Sequence, residues 1–285
     1  MKLFKYQGAG NDFLLVDNRD GHLKSFDGYL ICDGETFSIA EICDRRYGIG
    51  ADGVMLLESS ESADFRMVYF NSDGSGGMMC GNGGRCIVAF AADCGLSSFD
   101  FEAADGLHSA QILESSGHCK TVRLKMKDVA GVKRFSGLTG PIVPSDGFFL
   151  DTGTRHFVRF VKSLDNYPII FEGRDIRFNA LELLPVGANV NFVEHSDHLV
   201  KVRTYEKGVE DETFACGTGI VASCISSYMA GMEPSQKDGD RVVYEVSAKR
   251  DRLSVDFVVS PDKDAFSDVW LTGPATFVAE VLFRN

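Results

Sequence analysis

The sequence predicts an α+β fold built from two similar halves, in each of which a sheet wraps around one apolar helix. Three observations lead to this prediction. Alternation of apolar and polar residues, typical of half-buried strands, recurs along the whole chain. An apolar segment with helical character follows each of two glycine-rich stretches, which begin at Cys80 and Cys216. The length of 285 residues is sufficient for two domains of ordinary size.

In the first half, the strands come before and after the apolar helix. A short helix is expected at 38–47, and a buried helix is expected to follow Gly84, with Ile87, Val88 and Phe90 on its apolar side. The strand-like runs of this half are 12–17, 54–58, 65–70 and 121–126.

The second half repeats this organisation, with its buried helix expected after Gly219. Residues 214–232 carry no charge, but their glycines and serines favour a buried helix over a membrane span. The strand-like runs of this half and of the C-terminal segment are 148–151, 156–161, 189–194, 200–205, 253–257 and 276–283.

A short motif occurs once in each half. Cys80-Gly81-Asn82-Gly83 recurs as Cys216-Gly217-Thr218-Gly219, and at the same offset the strand 65–70 falls on 201–206. Chance similarity between glycine-rich turns is the alternative, but agreement of strand, loop, cysteine and helix in one order favours a duplication. We therefore expect one domain over 1–126 with 272–285, carrying Cys80, and a second over 127–271, carrying Cys216.

Composition excludes several classes of partner. Acidic residues number 41 against 29 basic ones, and the formal net charge of -12 argues against nucleic-acid binding. The N-terminal residues lack the apolar core of a signal peptide, so we expect a cytoplasmic protein with reduced thiols and no membrane association. The expected partner is a small-molecule substrate, and assembly into a homodimer is kept as an alternative to a monomer.

Five of the eight cysteines are expected to have no chemical role, and a sixth is ambiguous. Small buried thiols are common in protein cores, and this interpretation is applied to Cys32, Cys43, Cys94, Cys119 and Cys224. Cys86 is ambiguous because it lies close to Cys80, although their spacing fits zinc ligation poorly. No metal site is predicted.

The two remaining cysteines stand where a helix begins. Unpaired N–H groups and the dipole at a helix N-terminus favour a thiolate and bind anions such as a carboxylate, and glycines let a ligand approach the backbone. Cys80 and Cys216 could therefore flank one carbon of a carboxylate-bearing substrate. One thiolate would remove a proton from one face and the other thiol would return a proton to the opposite face, which inverts the stereocentre.

No cofactor is predicted. The segment 48–53 matches the glycine pattern of dinucleotide-binding loops, but a helix is expected before it and a strand after it. That order is the reverse of the one that dinucleotide binding requires.

The chain resembles the diaminopimelate epimerase family over nearly its whole length. The resemblance rests on three stretches in a fixed order, which are Gly8-Ala9-Gly10-Asn11-Asp12-Phe13, the segment 70–86 with Cys80, and the segment 205–219 with Cys216. It implies two pseudo-symmetric domains, each a mostly antiparallel, barrel-like sheet around a central helix, with the active site in the cleft between them. It further implies cofactor-independent interconversion of LL- and meso-diaminopimelate in bacterial lysine and peptidoglycan-precursor synthesis.

The resemblance also implies roles for individual residues. Cys80 and Cys216 would be the acid–base pair, with His156 beside one thiol and Glu206 beside the other to accept or restore its proton. The backbone N–H groups of four residues would hold the reacting carboxylate: Gly81, Asn82, Gly217 and Thr218. Asn11, Asn71 and Asn189 would hold the distal amino-acid group of the substrate.

Three departures from the family pattern concern the distal group. Thr154 and Arg155 stand where the family usually has asparagine and proline, and Lys207 stands where it usually has arginine. Lysine offers a carboxylate a point charge, whereas arginine offers two parallel hydrogen bonds. Asp52-Gly53 also lacks a glutamine that some members have there.

Four other functions are weighed against this one. A proline racemase or hydroxyproline epimerase would use the same thiol pair but typically has histidine where Asn82 stands, and phenazine-type isomerases generally lack the pair. A thiol redox protein would be expected to show a C-x-x-C motif, which the chain lacks. A non-catalytic amino-acid-binding protein would not need two opposed thiols.

Overall fold

The computed structural model describes residues 1–284, which divide into two compact units. Unit 1 is Met1–Leu124 together with the segment that begins at Gly273, and unit 2 is Lys125–Thr272. Strands dominate both units. No helix among the described residues has both the length and the apolar character that crossing a lipid bilayer requires.

Unit 1 contains ten strands and two helices before the chain enters unit 2. In chain order these elements are β1 Lys2–Gly8, β2 Asn11–Asp17, β3 Lys24–Phe26, β4 Tyr29–Cys32, β5 Glu35–Ser38, α1 Ile39–Cys43, β6 Gly53–Glu58, β7 Phe65–Asn71, α2 Gly81–Asp93, β8 Asp100–Ala103, β9 Gly106–Ser116 and β10 Cys119–Lys125.

Unit 2 continues with ten strands and two helices, and a final long strand, β21 Ala265–Leu282, belongs partly to each unit. The elements before it are β11 Val129–Ala130, β12 Lys133–Phe135, β13 Gly147–Asp151, β14 Arg155–Phe160, α3 Ile169–Asn179, β15 Asn189–Ser196, β16 Leu199–Glu206, β17 Asp211–Thr213, α4 Gly217–Met229, β18 Gln236–Asp238, β19 Arg241–Ser247 and β20 Arg252–Val259.

The strands of unit 1 close into a barrel around α2. Pairing runs from β1 through β2, β6, β7, β8 and β9 to β10, and both β10 and β1 pair with β21, which completes a ring of 8 strands. The β2–β6 and β7–β8 pairs are parallel, whereas the other pairs from β1 to β10 are antiparallel. Nearly every residue of α2 is buried, because a helix enclosed by a sheet has no solvent-facing side.

Unit 2 repeats this succession of pairings around α4. β13 and β14 are antiparallel, β14 and β15 are parallel, and β15 and β16 are antiparallel. β16 and β19 are then parallel, β19 and β20 are antiparallel, and β20 and β21 are antiparallel. Most of α4 is buried against these strands, and α3 packs on β15 and β16. The expected α+β fold, with a sheet around one apolar helix in each half, is confirmed.

The helices differ from the predicted ones at their ends. The two central helices begin three or more residues before the expected positions, directly after Cys80 and Cys216. The helix expected over 38–47 ends at Cys43. The Asp44 carboxylate accepts the backbone N–H groups of Arg46 and Tyr47, both at 2.7 Å, and so stabilises a turn in place of further helix.

Candidate active site

Cys80 lies at the N-terminus of the central helix of unit 1. It has extended backbone angles, φ -120° and ψ 153°, and its Sγ accepts the N–H of Gly83 at 3.3 Å. The side chain is exposed to solvent. An accessible sulfur is thus held at the positive end of a buried helix dipole, where negative charge is favoured.

The first turn of α2 is fixed by a chain of side-chain hydrogen bonds. Asn82 donates from Nδ2 to Oδ1 of Asn11 at 2.6 Å, and the fully buried Arg85 donates to Oδ1 of Asn82 at 2.9 Å and to the Gly81 carbonyl at 3.0 Å. Both amide groups therefore have a single orientation, and Asn11 and Asn82 belong to one network.

Two acidic residues extend this network behind Asn11. Oδ2 of Asp52 accepts Nδ2 of Asn11 at 2.7 Å, and Arg45 bridges Asp52 at 2.7 Å and Asp12 at 2.6 Å. Burial acts to raise the pKa of Asp12, but hydrogen bonds from Arg45 and Lys5 outweigh it and hold that pKa below its usual value. The Asp12 carboxylate therefore stays charged beside Arg45 and Lys5.

Asn71 has a different environment from Asn11 and Asn82. Its Nδ2 donates to Oγ of Ser75 at 3.0 Å and to the Gly76 carbonyl at 3.4 Å. The side chain therefore stabilises the turn that follows β7, as asparagine commonly does.

Cys216 occupies the corresponding place in unit 2, at the N-terminus of α4. It also has extended backbone angles, φ -104° and ψ 110°, and it is partly exposed. Its Sγ lies 3.4 Å from Oγ1 of Thr218. That hydroxyl lies 2.9 Å from Nε2 of His156 and 3.1 Å from Oγ1 of Thr154. Four predicted site residues thus form one cluster.

His156 is fully buried and held in one tautomer. Nδ2 of Asn191 lies 3.0 Å from its Nδ1 and 3.4 Å from the Phe157 carbonyl, while Oδ1 of Asn191 accepts the Thr204 hydroxyl at 2.9 Å. With its amide oriented in this way, Asn191 donates to Nδ1, which places the imidazole proton on Nε2. Burial lowers the pKa of His156 to about 3, although the Asn191 hydrogen bond acts in the opposite direction. The neutral ring donates from Nε2 toward Thr218 or Thr154.

Of the other predicted residues of unit 2, Asn189 contacts this cluster, with its Nδ2 3.4 Å from Oγ1 of Thr154. Asn189 donates to the Arg155 carbonyl at 3.1 Å and accepts the backbone N–H of Lys207 at 2.8 Å, while the Lys207 side chain is exposed. Glu206 accepts the Thr213 hydroxyl at 2.8 Å. Burial raises the pKa of Glu206, and this hydrogen bond only partly opposes the shift. Its carboxyl group is therefore suited to exchanging protons.

The two half-sites have the same local design with different side chains. In unit 1 an amide–amide hydrogen bond joins Asn11 to Asn82, and in unit 2 a hydroxyl–hydroxyl contact joins Thr154 to Thr218. In each case the partners are a residue next to the second strand of the barrel and the second residue of the central helix.

Comparison with known proteins identifies the family. Residues 3–129 match the family model described as diaminopimelate epimerase. Proteins with that name from Flavobacterium psychrophilum and Chlorobaculum tepidum are 41% and 39% identical to this chain. The first alignment covers 98% of this chain and 99% of the relative, and the second covers 95% and 96%. The chain belongs to the diaminopimelate epimerase family.

Solved structures extend the similarity of this family member to a wider fold group. A PhzF-family phenazine biosynthesis protein of Bacillus anthracis aligns with TM-score 0.68 and 17% identity, covering 99% of each chain. A probable proline racemase of Agrobacterium radiobacter K84 aligns with TM-score 0.65 and 15% identity, covering 99% of this chain and 92% of that one. At these identities, the comparison shows a shared fold only.

Four further residues of this family member support the site without any role predicted from the sequence. They are Arg85 and Asp52 in unit 1, and Asn191 and Thr152 in unit 2. Thr152 donates to the Thr218 carbonyl at 2.9 Å, in the first turn of α4. The sequence held one indication of Asn191, since it lies two residues after Asn189 in an otherwise apolar strand and therefore faces the same side.

Proposed function

We propose that this protein interconverts LL- and meso-diaminopimelate in the cytoplasm, without a cofactor, for lysine and peptidoglycan-precursor synthesis. One observation carries the proposal, which is that each unit presents a cysteine at the N-terminus of a buried, glycine-rich helix. Two acid–base thiols are what inversion at an α-carbon requires. The names of the relatives that are 41% and 39% identical support the choice of substrate.

In the proposed mechanism, each of two domains supplies one thiol to the same substrate, which binds in the cleft between them. The first domain consists of 1–126 and 272–285, and the second of 127–271. The thiolate of Cys80 or Cys216 removes the α-proton, and the other thiol returns a proton to the opposite face. Backbone N–H groups at the two helix ends bind the reacting carboxylate and stabilise the charge that builds up in the transition state. Those groups belong to Gly81, Asn82, Gly217 and Thr218.

Glu206 is proposed to exchange a proton with one thiol. His156, whose Nε2 holds its proton and whose Nδ1 accepts from Asn191, is proposed to act on Cys216 through hydrogen bonds. Neutral His156 donates a hydrogen bond from Nε2 to the Thr218 hydroxyl, which lies 3.4 Å from Sγ of Cys216 and can in turn donate a hydrogen bond to the thiolate. Glu206, with its raised pKa, is suited to accept a thiol proton and release it again.

The distal amino-acid group of the substrate is assigned to polar residues on both half-sites. These residues are Asn11, Asn71, Thr154, Asn189 and Lys207. Lys207 would supply the cation for the distal carboxylate, because its ammonium group lies at the surface and its backbone is fixed by Asn189.

The test is incubation of the purified protein with LL-diaminopimelate in deuterated water, without added cofactor. We expect deuterium at the α-carbon and appearance of the meso isomer. Cys80→Ala and Cys216→Ala should each abolish epimerisation, because inversion needs both thiols. Cys94→Ala is the matched control, since Cys94 lies at the opposite end of the same helix as Cys80.

Other outcomes would support the alternatives. Full epimerisation by either cysteine variant would contradict the two-base mechanism. Exchange with proline or hydroxyproline, but not with diaminopimelate, would assign the chain to the racemase function. Reversible oxidation of the thiols without any isomerase activity, followed by mass spectrometry, would favour a redox protein.

A further inference from the structure

The aromatic ring of Tyr69 on β7 fills a space that two glycines leave open. A Cβ at Gly77 would lie 2.1 Å from Cδ1 and 2.3 Å from Cε1 of this ring. A Cβ at Gly53 would lie 2.5 Å from Cε2, although the Phe70 carbonyl would also obstruct it. Neither glycine has a positive φ. At Gly77 it is therefore the ring, and not the backbone conformation, that requires glycine.

The ring lies on the side of unit 1 that contains the candidate site. Tyr69 and Asn71 alternate on the same face of β7, and their partners on β6 are Met55 and Gly53. The ring also packs edge to face on Phe13, with centroids 5.9 Å apart. A Cβ at Gly83, in the first turn of α2, would touch both Met55 and Phe13. Tyr69 is thus part of the wall that supports the Cys80 loop.

The hydroxyl of Tyr69 has an unused hydrogen-bonding capacity. It forms no hydrogen bond with any residue in 1–284, and the side chain is only half-buried. Oη would be 3.1 Å from a Cβ at Gly53, next to the Asp52 carboxylate that holds Asn11. Burial and the nearby negative charges of Cys80 and Asp52 raise the pKa of Tyr69 well above its usual value. The hydroxyl therefore stays protonated and is suited to donate to an anion.

We propose that Tyr69 determines substrate specificity by donating a hydrogen bond from Oη to the distal carboxylate of the bound diamino diacid. The proposal rests on the proposed function. Asn71, on the same strand face, is proposed above to bind the distal group, and Asp52, the residue before Gly53, accepts a hydrogen bond from Asn11. The Tyr69 hydroxyl lies close to the place that a side chain at Gly53 would occupy, and there it can donate a hydrogen bond to the substrate.

The first test is Tyr69→Phe, which removes the hydroxyl and keeps the ring. A hydrogen bond to a charged group is worth enough that its loss should raise KM for LL-diaminopimelate about tenfold to a hundredfold, with kcat nearly unchanged. Tyr47→Phe is the matched control, because Tyr47 is 93% exposed. An unchanged KM, or a fall in kcat at constant KM, would overturn the proposal.

Competitive inhibitors identify the group that Tyr69 binds. L-2-Aminopimelate keeps the distal carboxylate and lacks the distal amino group, whereas L-lysine keeps the amino group and lacks that carboxylate. Tyr69→Phe should weaken inhibition by L-2-aminopimelate and leave inhibition by L-lysine unchanged. The reverse pattern would assign the hydroxyl to the amino group and contradict the proposal.

A double-mutant cycle tests the role of ring position. Gly77→Ala should displace the ring and raise KM as Tyr69→Phe does, whereas in a Tyr69→Ala background the same change should have no further effect. Additive effects would show that Gly77 acts independently of Tyr69. An inactive wild-type protein would contradict the proposed function itself, whereas active enzyme with an unaltered Tyr69→Phe variant would contradict only the inference about Tyr69.

Discussion

His156 is an imidazole buried in its neutral form, and this makes the stability of the protein depend on pH. The ordinary pKa of histidine is 6.5 and that of His156 is about 3, so between these values the unfolded chain binds one proton more than the folded chain. The free energy of unfolding must therefore fall as the pH is lowered through this range. Well above pH 6.5 neither state binds a proton at this site, and the dependence on pH disappears.

We predict that His156 costs the protein about 2 kcal/mol of stability between pH 7 and pH 5, the value expected for one group with this shift. Urea unfolding of the wild type and of His156→Gln at both pH values measures the effect. The variant should lose less stability over this interval by that amount. His118→Gln, at an exposed histidine, should behave as the wild type does. Equal pH dependence of wild type and His156→Gln would show that His156 can be protonated in the folded state.

The residues of the candidate site were predicted unevenly, for a physical reason. The sequence names Thr154, His156 and Thr218, because each lies within a recognisable motif near a glycine. The role of Asn191 cannot be predicted in this way, because it depends on facing Thr204 across the β15–β16 pair and on contacting the first turn of α4. Such contacts depend on strand register, which no local pattern in this chain specifies.

At the scale of elements, the first turns of the two central helices differ in their tolerance of added volume. Gly83 and Gly219 occupy the same position, the third residue of each helix. A Cβ at Gly83 would lie 2.6 Å from the terminal methyl of Met55, which can move aside. A Cβ at Gly219 would lie 2.3 Å from Oδ1 of Asn191, which is fixed by its hydrogen bonds.

We therefore predict that Gly219→Ala destabilises the protein by about 1–3 kcal/mol, the usual cost of overpacking, whereas Gly83→Ala is close to neutral. In Gly83→Ala, the higher helix propensity of alanine offsets the displacement of Met55. Thermal unfolding of the two variants checks this, and Gly219→Ala should also lower activity because it displaces Asn191 from His156. Equal melting temperatures of the two variants would contradict the proposed rigidity of Asn191.

The elements of the fold differ in how well the sequence predicts them. The strands at 65–70 and 200–205 can be predicted because one face of each is apolar and lies in the core, and the strand at 12–17 because it contains four consecutive buried apolar residues. The early starts of α2 and α4 were missed, because glycine is a poor helix former and only the space around each first turn requires it. Helix α3 was missed as well. Its apolar residues Ile170 and Phe171 are exposed, so the apolar residues of this helix do not follow a helical period.

At the scale of the whole molecule, the two units differ in chain continuity. Unit 2 is a single stretch, Lys125–Thr272, and its pairings from β13 to β20 lie within that stretch. Unit 1 closes only when the C-terminal part of β21 pairs with β1, from Tyr6 with Phe277 to Lys2 with Leu282. The barrel around α2 therefore depends on residues that are distant in sequence.

We predict that the fragment 125–272 folds alone and that the fragment 1–124 does not. Without the C-terminal strand, β1 and β10 become open edges, which favours aggregation. Circular dichroism and size-exclusion chromatography of the two fragments measure this. A chain in which residues 273–284 follow Leu124 through a glycine–serine linker should recover a soluble, folded unit 1. A folded, monomeric 1–124 fragment would show that β21 is dispensable for that barrel.

The late contribution of β21 to unit 1 has a consequence for biosynthesis. As the chain leaves the ribosome, the residues around Cys216 can complete their barrel once Thr272 has emerged. The residues around Cys80 are made first but must wait for the segment after Gly273 before their barrel can close. Unit 2 is thus expected to finish folding before unit 1, although most of unit 1 is translated first. Unit 1 is therefore the one that depends most on chaperones during synthesis.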